Sequence, residues 1–196
     1  MKRLFDLLFS MVVLILFFPL GILISLCIII DSRGDIFYKQ ERVGLNGAIF
    51  TILKFRSMHV NSAVKGTLTV GDDARITRVG SLIRKVKLDE FPQFLNVIAG
   101  QMSVVGPRPE VQEFVDLYTD TQREILRVKP GITDEASLAY FDENNMLSES
   151  SNPKLTYIQE IMPRKIEINL KYISEKSWYS DAIVILKTML KILRIK

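Results

Sequence analysis

The chain has 196 residues and a formal net charge of +4, which suit one domain of ordinary size with a modest basic excess. Its single cysteine, Cys27, excludes an internal disulfide framework and a cysteine cluster for zinc. Its single histidine, His59, excludes a histidine-rich metal site. Where the charges lie is therefore more informative than how many there are.

The first predicted element is an uncharged apolar segment from Leu7 to Ile30. A helix of this length, at about 1.5 Å per residue, is long enough to cross a bilayer core of roughly 30 Å. Basic residues flank both ends, so the positive-inside rule does not choose an orientation. Pro19 and Gly21 supply a place to bend. The segment is expected in the membrane, either as a spanning helix or as a bent hairpin.

A β-hairpin is predicted next, because residues 36–43 and 48–56 read as strands separated by the four-residue loop GLNG. Lys54 and Arg56 are two residues apart in the second strand, so both side chains are expected on one face. The polar, glycine-containing residues 61–73 predict a loop.

An amphipathic basic helix is predicted for residues 74–87, where every charge is positive and apolar residues recur at helical spacing. A second helix is expected with Asp89 as its N-cap, Pro92 in its first turn and Gly100 at its C-terminal end. Further helices are expected for Pro109–Val128 and after Pro153 and Pro163.

The C-terminal residues 182–196 contain no acid and combine an apolar majority with three basic residues on one helical face. Those residues are Lys187, Lys191 and Arg194. This composition is typical of a helix that lies at an anionic membrane surface. A core helix with three solvated cations has the same composition, and the apolar segment at the other terminus favours the membrane.

The adjacent carboxylates Asp89 and Glu90 follow directly after the basic helix. Acids at a helix start commonly cap the helix and complement its dipole. However, a helix N-terminus also attracts phosphate, and the neighbouring Arg84 belongs to a cluster of cations suited to phosphate oxygens. Magnesium is commonly held by one or two carboxylates with substrate phosphates, and a carboxylate can also attack phosphorus directly. The pattern therefore indicates Mg²⁺-dependent phosphoryl transfer at a membrane.

The GPRP stretch places Arg108 between two prolines, in extended backbone that has little freedom to lose when it binds an anion. The alternative explanation is a rigid turn that opens a helix at Pro109.

Several motifs together resemble one family. They are KRLFDLLFS at the start, KFRSM at 54–58, RKVKLDEFPQFLNVIAGQMSVVGPRP at 84–109, KPGIT at 129–133, and Asp181 followed by LKTML. Over nearly its whole length the chain resembles the bacterial sugar transferase family, the monotopic phosphoglycosyl transferases that start lipid-linked glycan assembly.

The resemblance implies transfer of a sugar phosphate from a UDP-sugar to undecaprenyl phosphate, with release of UMP. Asp89 would be the nucleophile and would hold Mg²⁺, and Glu90 would assist proton handling and metal geometry. The phosphate contacts would come from Arg84 and Arg108, with Lys54 and Arg56 as further candidates.

The implied fold is a mixed α/β, mostly helical, membrane-associated domain with a β-hairpin and amphipathic helices at the membrane surface. Residues 1–33 would form a re-entrant membrane helix, and residues 34–196 a cytoplasmic catalytic domain. The site would lie on the cytoplasmic face of the bacterial inner membrane, in contact with membrane lipids. No nucleic-acid motif is present, and self-association is left open.

Two features depart from the family pattern. The chain reads PGITDEASLAYFDE where familiar members have PGITG followed by an aromatic residue, Gln-Val and Gly-Arg, so the sugar or uridine pocket is expected to differ. Phe18 precedes the proline where many members have serine. Two other functions fit the residues: a membrane-associated phosphohydrolase, and a basic membrane scaffold without catalysis.

Overall fold

The computed structural model describes residues 1–60, 71 and 73–193. Within them the chain is mostly helical, with two two-stranded sheets. The strands are β1 (Phe37–Val43), β2 (Ile49–Phe55), β3 (Ser103–Val105) and β4 (Gly131–Thr133). The α-helices are α1 (Lys2–Asp31), α2 (Arg78–Lys85), α3 (Gln93–Ile98), α4 (Gln112–Val115), α5 (Asp120–Arg123), α6 (Glu135–Ala139), α7 (Glu143–Ser148), α8 (Pro153–Thr156), α9 (Met162–Glu175) and α10 (Trp178–Leu193). Short 3₁₀ segments are Leu45–Gly47, Leu88–Glu90 and Glu124–Arg127, and Tyr157–Ile161 is a π-helix. The expected mixed, mostly helical architecture is confirmed.

The predicted hairpin is confirmed. Strands β1 and β2 pair antiparallel from Phe37 opposite Phe55 to Val43 opposite Ile49. Asn46 and Gly47 turn the chain with φ values of 54° and 81°, the left-handed region that Asn and Gly tolerate. The connection extends to Ala48, one residue beyond the predicted loop, because Ala48 N–H donates to the Leu45 carbonyl. Most of the predicted loop 61–73 lies outside the described residues.

A second, parallel sheet was not predicted. Ser103 of β3 pairs with Gly131 of β4, and Val105 pairs with Thr133. A Cβ at Gly131 would lie 2.1 Å from the backbone nitrogen of Gly106, so this close crossing requires glycine. The pairing places the segment after β3, which carries Arg108, against the segment that leads into β4.

Helix α1 contacts the rest of the chain at its start, middle and end. At the start, Lys2 donates to the Val105 carbonyl at 3.1 Å and forms an ion pair with Asp181. In the middle, a Cβ at Gly21 would lie 3.5 Å from the Phe91 ring. At the end, Asp31 accepts from the Val79 N–H at 2.9 Å. One side of the helix therefore packs against the rest of the chain near both ends and in the middle.

The opposite side of α1 is apolar and exposed. Only 11% of its most apolar 18-residue stretch is buried against the rest of the chain, whereas the core helix of a soluble protein would be mostly buried. The helix runs without interruption through Pro19, and the Ser25 hydroxyl donates to the Gly21 carbonyl at 2.7 Å. The length and composition suit a membrane; the re-entrant path and the division at residue 33 stay predictions.

Several predicted helix boundaries were wrong. The basic helix begins at Arg78 rather than at residue 74, because Thr77 accepts from the Gly80 N–H and so caps α2. Asp89 is not the N-cap of α3; it lies in the preceding 3₁₀ turn, and the cap position of α3 is Pro92. Gly100, at φ 84°, ends α3 as predicted.

The region after GPRP also differs from the prediction. Pro109 does not open a helix; α4 begins at Gln112, and Pro109–Val128 is divided among α4, α5 and a 3₁₀ segment. The helices expected after Pro153 and Pro163 are present as α8 and α9. The predicted C-terminal helix is present as α10, although Arg194 lies outside the described residues.

Candidate active site

The turn between α2 and α3 carries both carboxylates of the acidic pair. Lys87 adopts the left-handed conformation, with φ 58°, two residues after the end of α2. Leu88–Glu90 then forms a single 3₁₀ turn before α3. Because a 3₁₀ helix has about 3.0 residues per turn, neighbouring side chains diverge by about 120°. Asp89 and Glu90 are therefore directed to different surroundings.

Glu90 is held by two cations. Its carboxylate accepts from Lys54 Nζ at 3.0 Å and from Arg108 through both terminal nitrogens, one of them at 3.0 Å. Burial alone would raise the pKa of Glu90, but the charges and hydrogen bonds of Arg108 and Lys54 outweigh it and hold the pKa well below its ordinary value. Glu90 is therefore an ionised anchor and a weak base. Its implied proton-handling role stays a prediction that this geometry does not favour.

The same contacts affect the two cations. Burial lowers the pKa of Lys54, and the adjacent Glu90 charge opposes that shift. The charge of Glu90 raises the pKa of Arg108. Glu90 is thus the shared counterion of Lys54 and Arg108. Its contacts hold both side chains in place near Asp89.

Asp89 is also buried, with 6% of its surface exposed. In contrast to Glu90, its carboxylate has no hydrogen-bond partner among the residues that the structure describes. Burial, followed by the nearby Glu90 charge, raises the pKa of Asp89, while the charges of Lys54, Arg84 and Lys87 oppose the shift. The site therefore presents a buried carboxylate with free oxygens, surrounded by cations.

The structure brings five of the six predicted site residues together and directs the sixth elsewhere. Asp89, Glu90, Lys54, Arg84 and Arg108 form the cluster. Arg84 is partly exposed and donates to Ser57 Oγ at 3.4 Å, a long contact that leaves most of its donors available.

Arg56 is the residue directed elsewhere. It is buried, and it donates to the carbonyls of Ser32 at 2.6 Å and Arg33 at 2.7 Å. These contacts satisfy carbonyls just beyond the end of α1. The prediction that Arg56 contacts phosphate stays a prediction, and the observed partners give it an anchoring role.

The segment that carries Arg108 is held by a network that was not predicted. Arg42 of β1 donates to the Pro109 carbonyl at 3.0 Å and pairs with Glu110 at 3.2 Å. Glu110 also accepts from the Tyr157 hydroxyl. These contacts connect the hairpin, the GPRP segment and the π-helix Tyr157–Ile161, so the backbone directly after Arg108 is held in place. The side chains come from distant parts of the chain, and no local pattern marks them as partners.

The residues present fit Mg²⁺ only together with substrate. In the described part of the chain no group of three or more His, Cys, Asp or Glu side chains is placed to hold a metal. Asp89 does offer one carboxylate with free oxygens, and magnesium commonly combines one or two carboxylates with substrate phosphates and water. The Asp89 metal site therefore remains a prediction with one available protein ligand.

Comparison with known proteins matches this chain to one protein family. The model of the family described as bacterial sugar transferase matches residues 1–195. The chain is 33% identical to the exopolysaccharide production protein ExoY of Rhizobium meliloti (strain 1021), over 96% of this chain and 83% of that protein.

Two further relatives have names that state a reaction. The chain is 36% identical to the UDP-N-acetylgalactosamine-undecaprenyl-phosphate N-acetylgalactosaminephosphotransferase of Aeromonas hydrophila, over 98% of this chain and 43% of the relative. It is 33% identical to the UDP-glucose:undecaprenyl-phosphate glucose-1-phosphate transferase of Escherichia coli (strain K12), over 97% of this chain and 40% of the relative. The family match spans the apolar helix, the acidic pair and GPRP, and the chain belongs to the bacterial sugar transferase family.

Proposed function

We propose that the chain transfers a sugar phosphate from a UDP-sugar to undecaprenyl phosphate and releases UMP, through a covalent intermediate on Asp89. The observation that carries this proposal is that the two carboxylates of the acidic pair differ in their hydrogen-bond partners. Glu90 is occupied by Lys54 and Arg108, whereas the buried Asp89 carboxylate has free oxygens. The names of the relatives from Aeromonas hydrophila and Escherichia coli supply the two substrate classes.

In the first step, an Asp89 oxygen attacks the phosphorus that bears the sugar. A bond forms between that oxygen and phosphorus, and the bond from phosphorus to the oxygen that bridges the two phosphates breaks. UMP leaves with the bridging oxygen. Arg84 acts on Asp89 through its charge and is not bound to Glu90, so it would balance charge on the phosphate oxygens.

In the second step, an oxygen of the lipid phosphate attacks the same phosphorus, and the bond to Asp89 breaks. The products are the diphosphate-linked lipid sugar and the free Asp89 carboxylate. A phosphate monoester carries close to two negative charges at neutral pH, so total charge balances in each step without a proton transfer. The low pKa of Glu90 is compatible with this chemistry, because no general base is needed.

A Mg²⁺ ion bound at Asp89 with the substrate diphosphate would neutralise negative charge on the phosphate oxygens. The protein's part in this arrangement is the one carboxylate described above.

We also propose that the site lies on the cytoplasmic face of the bacterial inner membrane, with α1 entering and leaving on that face. Both ends of α1 contact the same domain, through Lys2 at the start and Asp31 at the end. A helix held in this way cannot carry its ends to opposite sides of a bilayer while the charged domain stays on one side. The exposed apolar side of α1 is then available to lipid.

The test of the chemistry is Asp89→Asn, with Asp35→Asn as a matched control at an exposed position. The native protein and the control should form a protein-bound sugar phosphate from labelled UDP-sugar without a lipid acceptor, and the nucleotide released should be UMP. Asp89→Asn should form neither product while it keeps its expression and membrane association. A panel of UDP-sugars identifies the donor. Substantial turnover by the Asn variant, or UDP as the main product, would refute the proposal.

A further inference from the structure

A single aromatic ring joins three distant parts of the chain beside the active site. Phe141 lies between α6 and α7. Lys87 Nζ lies 5.1 Å from the centroid of its ring, and Lys191 Nζ of α10 lies 5.2 Å from the same centroid. Both distances are within cation–π range. One ammonium group from the active-site turn and one from the C-terminal helix therefore lie near the same ring.

Neither ammonium group forms an ion pair in the part of the chain that the structure describes. Among the described residues neither Lys87 nor Lys191 forms an ion pair or a hydrogen bond through its side chain. Since each nitrogen is about 5 Å from one centroid, the two are no more than about 10 Å apart. Like charges at this separation repel, and the ring offsets part of that repulsion. The combined charge of the two ammonium groups would favour an anion beside this ring.

The surroundings indicate which kind of anion fits. Lys87 is two residues before Asp89, and its charge acts on the reacting carboxylate. Lys191 shares its side of α10 with Val184 and Thr188, which face the domain. The remaining sides of α10 expose apolar side chains. These are Leu186, Met189, Leu190 and Leu193.

A phosphate held at this ring would thus be close to the turn that carries the reacting carboxylate and to a helix that exposes apolar side chains. That combination fits a phosphate that carries a hydrocarbon chain better than it fits a nucleotide. The diphosphate group of the UDP-sugar is the other anion that two ammonium groups can bind.

We propose that Lys87, Phe141 and Lys191 form the headgroup site of the lipid acceptor, with Phe141 as the positioning residue that holds the two lysines together. The ligand is a polyprenyl phosphate monoester. Its oxygen attacks the phosphorus of the Asp89 intermediate, and the bond from Asp89 to phosphorus breaks. This inference rests on the proposed function, and it assigns a substrate role to the segment between α6 and α7.

The experiment separates the two half-reactions. Lys191→Gln and Phe141→Leu should form the covalent intermediate from UDP-sugar alone at the native rate. Their KM for undecaprenyl phosphate should rise by about tenfold, as expected when one charge-assisted contact to phosphate is lost. Phe141→Tyr keeps the ring face and should restore a near-native KM. Lys187→Gln is the control, because Lys187 is an exposed lysine one turn earlier on the same helix.

A second measurement does not depend on turnover. Binding of a short-chain polyprenyl phosphate to the protein in nanodiscs should weaken by a similar factor in Lys191→Gln and Phe141→Leu, but not in Lys187→Gln. A raised KM for UDP-sugar with an unchanged lipid KM would assign the lysines to the nucleotide and overturn the proposal. Native lipid affinity in both variants would overturn it as well. Failure of the native protein to form the intermediate would refute the Asp89 chemistry, and the binding measurement would still decide the headgroup site.

Discussion

Replacement of Arg108 by lysine tests whether geometry at this position matters in addition to charge. In the structure Arg108 holds Glu90 through both terminal guanidinium nitrogens, while Lys54 occupies one of the same carboxylate oxygens. A lysine has a single nitrogen on a flexible chain and cannot reproduce the two parallel hydrogen bonds. We therefore expect Arg108→Lys to keep the charge but to release Glu90 and disturb the cations around Asp89.

The magnitude follows from the contacts that are lost. A hydrogen bond to a charged group contributes roughly 1.5–3 kcal/mol, and the substitution removes one of the two. For a chain of this size about 1 kcal/mol shifts the melting temperature by roughly 2–4 °C, so we expect a decrease of roughly 3–12 °C. If the same free energy is lost from transition-state stabilisation, kcat/KM should fall by about ten- to a hundredfold, since about 1.4 kcal/mol is a factor of ten.

The assay compares Arg108→Lys with Arg123→Lys, which changes an exposed arginine on α5. Thermal unfolding and UMP release are measured in the same nanodisc preparation. The control should match the native protein in both. Native kinetics and native stability for Arg108→Lys would show that the bidentate geometry has no role. Lost activity with native stability would instead show that Arg108 contacts substrate phosphate directly and that its bond to Glu90 is secondary.

The remaining predictions concern pH, metal and topology. Burial and the Glu90 charge raise the pKa of Asp89 above its ordinary value of 3.8, and the ionised form is the proposed nucleophile. Formation of the intermediate should therefore increase as pH rises through a midpoint above 3.8. A single-turnover profile with a midpoint at or below that value would contradict this. Glu90 should stay ionised throughout that range, since its pKa is lowered. EDTA should abolish UMP release and Mg²⁺ should restore it, and activity that resists EDTA would exclude the metal. In a Cys27→Ser background, a cysteine added in a short extension before Met1 should react with an impermeant thiol reagent in inverted vesicles but not in intact cells. A cysteine at the exposed Lys39 serves as the cytoplasmic reference, and labelling of the extension from outside would establish a spanning helix.

Local sequence was sufficient for elements whose signals are local. The hairpin, the apolar helix, Gly100 at the end of α3 and the helices at Pro153 and Pro163 were all predicted from periodicity and from glycine and proline positions. The motifs around the acidic pair and GPRP also indicated the family that the comparisons confirmed. These features depend on residues a few positions apart, and the chain shows them without its fold.

Boundaries and anchoring contacts were not predictable in the same way. The parallel pairing of β3 with β4 joins residues 28 positions apart, and each strand has three residues, too few for a periodic signal. The ion pair of Lys2 with Asp181 joins the two ends of the chain. Charges are common at the surface, so no pattern in the sequence distinguishes these partners from other acids and bases.

The acidic pair shows most clearly what each level of organisation determines. The sequence alone identified Asp89 and Glu90 as adjacent carboxylates among cations, which was enough to indicate phosphoryl transfer. It could not determine which of the two is left without a hydrogen-bond partner, because neighbouring residues share the same local surroundings. The tertiary structure decides this: Lys54, 36 positions away, and Arg108, 18 positions away, both converge on Glu90. The 3₁₀ turn directs Asp89 away from them, so its carboxylate is left buried and without a hydrogen-bond partner among the described residues, as its proposed role as nucleophile requires.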